Sequence, residues 1–152
     1  LGLGQTSHAD ETKAGSTVFK SPQGFSFVVP SGWSVSPFDS RVLVRKPEAA
    51  QNDGFLIGPC AGAIPQACLS NPEMPAKLVG TAETRMAGLP ATTYVLERET
   101  AAQTRRWMER VTVIAAGGKT YAAGVMIPAP ELTQEYLELY NQILASFRLT
   151  AN

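Results

Sequence analysis

One stretch of the chain has clear helical periodicity. Between Pro130 and Phe147, apolar residues recur at steps of three and four, which places them along one side of a helix. The apolar side consists of Leu132, Tyr136, Leu139, Tyr140, Ile143, Leu144 and Phe147, widened by Leu137. The other side carries Glu131, Gln134, Glu135, Glu138, Asn141 and Gln142. Because such a helix needs a partner layer and most of the preceding chain resembles strand or loop, we predict that it packs on a β-sheet.

Short apolar runs separated by turn residues predict the first strands. Phe25 to Val29 favours a strand, Pro30 to Gly32 a turn and Trp33 to Val35 a second strand, so the chain is predicted to open as a β-meander. Trp33 itself is expected to anchor the core, with ligand stacking as the alternative. Arg41 to Arg45 predicts a further short strand, and Phe55 to Ile57, after a turn at Asp53-Gly54, predicts another.

Longer strands are predicted in the second half, from Lys77 to Met86, Ala91 to Glu99, Thr104 to Ala116 and Lys119 to Ile127. Gly117-Gly118 should join the last two as a hairpin, because glycine supplies the positive φ angles that tight turns require. We expect this hairpin at the centre of the sheet.

The same hairpin predicts where the helix lies. If the turn has two residues, Ala122 and Gly124 lie on one face and Ile114 and Tyr121 on the other, and a four-residue turn would keep the same pairing. Small residues let a helix approach closely, so we expect the helix of residues 130–147 on the face of Ala122 and Gly124.

Composition and the N-terminus limit the class of protein. The 152 residues fit one domain, assigned to residues 17–150, and 13 basic against 13 acidic residues leave no net charge to attract nucleic acid or an anionic membrane. No apolar run approaches the roughly 18 residues of a spanning helix. Residues 1–16 resemble a signal-peptide remnant and polar linker, with Ser7 and Ala9 placed like cleavage-site residues, although an ordinary disordered terminus is the alternative. We therefore expect an extracytoplasmic monomer.

The two cysteines enclose a short loop. Cys60 and Cys68 match no zinc or redox spacing, so we predict a disulfide, with two buried free thiols as the alternative. The region from Gly58 to Pro75 is interrupted by prolines and small residues, and it is expected either to bind a partner or to cover a sheet edge. The strands already supply a core, so the apolar residues of this loop and its root have no obvious place there. They are Phe55, Leu56 and Ile57 at the root, just before Gly58, and Ala61, Ala63 and Ile64 inside the loop.

Candidate chemistry is sparse. The single histidine, His8, lies in the N-terminal tail, which excludes a Ser-His-Asp or Cys-His site in the folded region. No metal or cofactor motif is present. Arg105, Arg106 and Arg110 form a candidate basic patch for an acidic partner or anion, and a solvated face balanced by neighbouring glutamates is the alternative.

Two segments carry a family resemblance. GFSFVVPSGWSV resembles the opening signature of PsbP-like proteins, and GGKTYAAGVMIPAPE followed by a helix ending in ILASFRL resembles their closing hairpin and final helix. The resemblance implies a Mog1/PsbP-like α+β fold, in which an antiparallel sheet of about six strands is flanked by helices as an α-β-α sandwich. It implies a periplasmic or secreted protein, or one of the thylakoid lumen if the source is photosynthetic.

The resemblance also implies a class of function. Most members are accessory or binding proteins, so we expect a non-catalytic protein without a cofactor that binds a protein partner through the loop residues or the arginine patch. Two alternatives remain at this point. One is a small-ligand carrier with a pocket under the Cys60–Cys68 loop, and the other is an enzyme of unrecognised type.

Overall fold

The structure is a computed structural model, and it describes residues 17–47, 54–60, 76–99, 106–128 and 133–150. These residues form ten strands and one helix. In chain order the elements are β1 (Thr17–Ser21), β2 (Phe25–Val29), β3 (Ser34–Phe38), β4 (Arg41–Arg45), β5 (Gly54–Cys60), β6 (Ala76–Met86), β7 (Leu89–Glu99), β8 (Arg106–Ala116), β9 (Lys119–Pro128), α1 (Gln134–Ser146) and β10 (Arg148–Leu149).

The strands form two antiparallel sheets. A seven-stranded sheet has the order β3-β4-β5-β9-β8-β7-β6, and a three-stranded sheet has the order β1-β2-β10. The expected sheet of about six strands is therefore too small, and a single helix flanks the sheets within the described ranges. The expected β-meander is also wrong, because β2 and β3 are consecutive in the chain but belong to different sheets.

The predicted central hairpin is confirmed. Ala116 pairs with Lys119, so the turn has two residues, and Gly117 and Gly118 adopt φ angles of 60° and 78°. Both angles lie in the left-handed region that tight hairpin turns require. Glycine adopts this region readily because it has no Cβ atom. Strand β9 is the fourth of seven in the sheet and β8 the fifth, so the hairpin lies at the centre.

The amphipathic pattern of α1 is confirmed. Tyr136, Tyr140, Ile143 and Leu144 are buried, whereas the polar residues from Gln134 to Gln142 that were placed on the other side are exposed. The helix is shorter than the predicted Pro130 to Phe147, because residue 147 is already extended, with φ −63° and ψ 132°. Residues 130–132 lie outside the described ranges.

The face on which α1 packs differs from the expectation. Tyr140 donates a hydrogen bond to the carbonyl oxygen of Ala123, and the buried helix residues share one core with Ile114 and Tyr121. We call the face of the seven-stranded sheet that carries Ile114 and Tyr121 the helix-side face. Gly124 is small for another reason. A Cβ atom there would lie 3.1 Å from Cγ2 of Val111, so the missing side chain makes room for a cross-strand neighbour and not for the helix.

The three-stranded sheet joins the same core. The ring of Phe25 in β2 stacks against those of Phe27 and Phe147, at centroid distances of 6.3 and 5.7 Å, and meets Tyr121 of β9 edge-on at 6.4 Å. The backbone N–H of Val28 donates to Oγ of Ser146 at 2.9 Å. These contacts connect the small sheet to the end of α1 and to the centre of the large sheet.

Candidate interaction surface

The residues proposed from the sequence for the loop surface are only partly described. Ala61, Ala63, Ile64 and Cys68 lie outside the described ranges, so their proposed role stays a prediction. The root of the loop was misjudged. Phe55 and Ile57 are almost fully buried in the main core, and Leu56 is half-buried. Phe55 and Ile57 reach the main core because β5 lies between β4 and β9, inside the sheet rather than at its edge.

The arginine group is described at one position. Arg110 is half-buried and shares the helix-side face of β8 with Thr112, as strand alternation requires. Its Nε atom is buried without a hydrogen-bond partner in the structure. Arg105 and the side chain of Arg106 lie outside the description, so whether the three residues form one patch remains a prediction.

The far face of the seven-stranded sheet, opposite the helix-side face, carries a second buried cluster of Leu96, Val111, Val113 and Ala122. Its members are between 3% and 5% exposed. An apolar docking surface requires exposed side chains, so these residues do not provide one. Nearby, burial lowers the pKa of Arg41, while the charges of Asp39 and Glu109 act in the opposite direction.

A buried polar chain links α1 to the centre of the sheet. Because the single hydroxyl proton of Tyr140 is donated to the Ala123 carbonyl at 3.2 Å, the hydroxyl of Thr112 must donate to Tyr140. Thr93 must then donate to Thr112, with 2.6 Å between their oxygens. Burial raises the pKa of Tyr140, although Thr112, Arg110 and Thr93 favour the charged form. The chain is fully paired, which indicates a structural rather than a catalytic tyrosine.

Replacing Tyr140 with phenylalanine tests this chain of hydrogen bonds. The change removes the hydroxyl that accepts from Thr112 and donates to the Ala123 carbonyl, so two buried hydrogen bonds are lost and we expect the free energy of unfolding to fall by about 1–3 kcal/mol in urea denaturation. The wild type should also lose stability above pH about 10, because the unfolded tyrosine then ionises while the folded one keeps its proton. Tyr140→Phe should lack that part of the alkaline loss. An unchanged alkaline profile would show that Tyr140 does not carry it.

Strand β6 is the accessible edge of the large sheet. It pairs with β7 on one side, and it is the terminal strand of the sheet among the described strands. Leu78 and Val79 in this strand are 54% and 53% exposed, and they are two of the three large apolar side chains found exposed in the described part of the chain. An eleven-residue edge strand with exposed apolar side chains is a template for pairing with another chain.

Local features of β6 limit how it can pair. The register with β7 shifts between Leu78 and Gly80, which produces a β-bulge at this point. From Gly80 to Met86 the pairing is regular, and exposed Glu83 and Arg85 give this part both signs of charge. Bulges and charges reduce indiscriminate edge association. The edge therefore suits a specific partner better than uncontrolled self-association.

The opposite edge, β3, is less suited to strand addition. Pro37 lies in β3, and proline has no N–H group to donate to an added strand. Phe38, at the end of β3, is 43% exposed and is the third exposed large apolar side chain. The sequence had predicted a strand from Lys77 to Met86 but not its edge position. The adjacent apolar pair Leu78-Val79, which breaks the alternation of the strand, and the glycine that follows it are local signals of the bulge.

Two further features of the described residues bear on the class of site. The structure contains no cluster of three or more His, Cys, Asp or Glu side chains that is able to hold a metal ion, as far as the described ranges go. Within those ranges, α1 is too short and too polar to cross a membrane.

The architecture is similar to that of several solved structures. The cyanobacterial PsbP protein of Synechocystis, CyanoP, matches with a TM-score of 0.62 and 13% identity over 96% of this chain and 98% of its own. The fold is PsbP-like. Neither family models nor curated proteins match the sequence.

Two other structures with this PsbP-like arrangement extend the comparison. LpqN of Mycobacterium tuberculosis, a protein involved in cell envelope biogenesis, matches with a TM-score of 0.52 and 17% identity over 90% of this chain and 91% of its own. A protein of Bacteroides thetaiotaomicron matches with a TM-score of 0.60 and 15% identity over 91% of this chain but only 50% of its own. At these identities the matches establish the fold and leave function to the site itself.

Proposed function

We propose that this protein is a non-catalytic, extracytoplasmic accessory protein that binds a protein partner along the β6 edge. The observation that carries the proposal is the exposure of Leu78 and Val79, each more than half accessible at the edge of a long strand. About half of each side chain is still exposed, so burying the remainder on association would contribute roughly 0.8–1.5 kcal/mol each, half the value for a fully exposed side chain. An added strand would also satisfy the outward backbone groups of β6.

The chemistry of the edge defines the partner. We infer an extended segment that adds a strand to β6 and places an apolar side chain against the Leu78-Val79 pair. Opposite the regular part of the strand, the segment would carry a cation near Glu83 and an anion near Arg85, because directly opposed charges of opposite sign stabilise a strand pair.

Two observations support the location outside the cytoplasm. LpqN, which shares the fold, is described as involved in cell envelope biogenesis. The described residues include no free cysteine. A Cys60–Cys68 disulfide remains part of the proposal, and it would fit an oxidising compartment such as the periplasm, the extracellular space or a thylakoid lumen.

The test compares edge variants in a native envelope fraction. Leu78→Asp/Val79→Asp should abolish capture of the partner by the purified protein, whereas Phe38→Asp, which places a negative charge on the opposite edge, should leave it unchanged. A peptide copied from the contact segment of the captured protein should then bind the wild type with an affinity at least about tenfold higher than it binds Leu78→Asp/Val79→Asp. Thermal unfolding of each variant confirms that it is folded.

Two further variants distinguish other surfaces. If Arg105→Glu/Arg106→Glu releases the partner and the β6 change does not, the arginine group is the binding surface. If Ile64→Asp alone releases it, the loop is the surface. Retention of the partner by all of these variants would refute binding through any of the three surfaces.

A further inference from the structure

A corner of aromatic rings lies where the turn after β2 meets the start of α1. Trp33 and Tyr136 form two walls at 73° to each other, with ring centroids 5.8 Å apart. Buried Phe55 stacks behind Trp33 at 5.4 Å and fixes the orientation of its ring. We call Trp33, Tyr136 and Phe55 the aromatic corner.

The corner already holds a cation. The ammonium group of Lys46, just after β4, lies 5.1 Å from the centroid of Tyr136 and 6.0 Å from that of Trp33. Its Nζ atom also lies 3.0 Å from Oε1 of Glu135, in the first turn of α1. Two π faces and one carboxylate therefore surround the same positive charge, which is the chemistry of sites that recognise organic ammonium groups.

Lys46 is a partly exposed occupant of the corner. Its side chain is 33% exposed and that of Glu135 is 62% exposed, so the corner opens to solvent on the side of the ion pair. A primary ammonium is strongly hydrated, and an ion pair as exposed as this one is weak. A partly exposed lysine on a flexible side chain can be displaced by a competing cation, and its departure would uncover the faces of Trp33 and Tyr136.

We propose that the aromatic corner is a binding site for a quaternary ammonium group, which Lys46 occupies when no ligand is present. A trimethylammonium group has no N–H donors whose hydrogen bonds to water must be broken, and its methyl groups can contact both rings of the 73° corner at once. The carboxylate of Glu135 balances the charge. The site is separate from the β6 edge and does not depend on the proposed partner.

The test removes the internal competitor. In Lys46→Ala, tetramethylammonium chloride should shift the indole N–H NMR resonance of Trp33 in a saturable way. The wild type should need an about tenfold higher tetramethylammonium concentration for half-saturation, because there the ligand must also displace Lys46 from the rings. The chain has two tryptophans, so Trp33→Phe assigns the signal. Sodium chloride at equal ionic strength corrects for salt.

Matched controls identify the interaction. In the Lys46→Ala background, Tyr136→Phe keeps the π face and should retain binding, whereas Tyr136→Leu removes it and should lose binding. The neutral alcohol 3,3-dimethyl-1-butanol has the shape of choline without its charge and should give no saturable shift. The proposal is overturned if Lys46→Ala gives no saturable shift, if the alcohol shifts the signal equally, or if wild type and Lys46→Ala bind with equal affinity.

Discussion

Phe25→Ala should lower the free energy of unfolding by about 3–5 kcal/mol, among the largest effects expected of a single substitution. Phe25 is fully buried, and its ring lies between Phe27 of its own strand and Phe147 at the end of α1. Its edge contact with Tyr121 adds the central strand of the large sheet. Removing the ring leaves a cavity at the point where both sheets and the helix meet.

Urea denaturation with a two-state fit measures this loss. Phe25→Leu keeps most of the volume and should cost less than Phe25→Ala, while Gln23→Ala, in the exposed turn before β2, should change the free energy of unfolding by less than about 0.5 kcal/mol. If Phe25→Ala costs no more than Gln23→Ala, the three-stranded sheet is not energetically coupled to the rest of the core.

The second large effect is expected at Ile143→Ala, which should lower the free energy of unfolding by about 2–5 kcal/mol. Ile143 is 1% exposed and belongs to the main core. Its carbonyl oxygen also accepts hydrogen bonds from the Phe147 N–H at 2.9 Å and from Oγ of Ser146 at 3.1 Å. The backbone contacts survive the substitution, so the loss reports the packing of the side chain on the sheet.

Neighbouring variants calibrate the Ile143 result. Ile143→Val removes one methylene and should cost about 0.5–1.5 kcal/mol, and Gln142→Ala on the exposed side of α1 should be nearly neutral. A loss below about 1 kcal/mol for Ile143→Ala would contradict the placement of α1 in the core, since a fully buried isoleucine cannot be truncated at so small a cost.

Local pattern alone determined several features of this protein. The 3.6-residue period identified the buried side of α1, and Gly117-Gly118 identified the place of the hairpin turn between β8 and β9. The strand from Arg41 to Arg45 has the predicted bounds. These features depend on backbone sterics and on the repeat of apolar positions within one element, and both can be read from neighbouring residues.

The tertiary structure decided which elements meet. Both faces of the central hairpin are apolar, so its sequence did not show that α1 packs against Tyr121 and Ala123 rather than over Gly124. The edge position of β6 and the insertion of β5 into the sheet follow from strand order, which no single strand encodes. The aromatic corner brings together Trp33, Lys46 and Tyr136, which are far apart in the chain. Such contacts depend on long-range packing, and packing is decided by the whole chain.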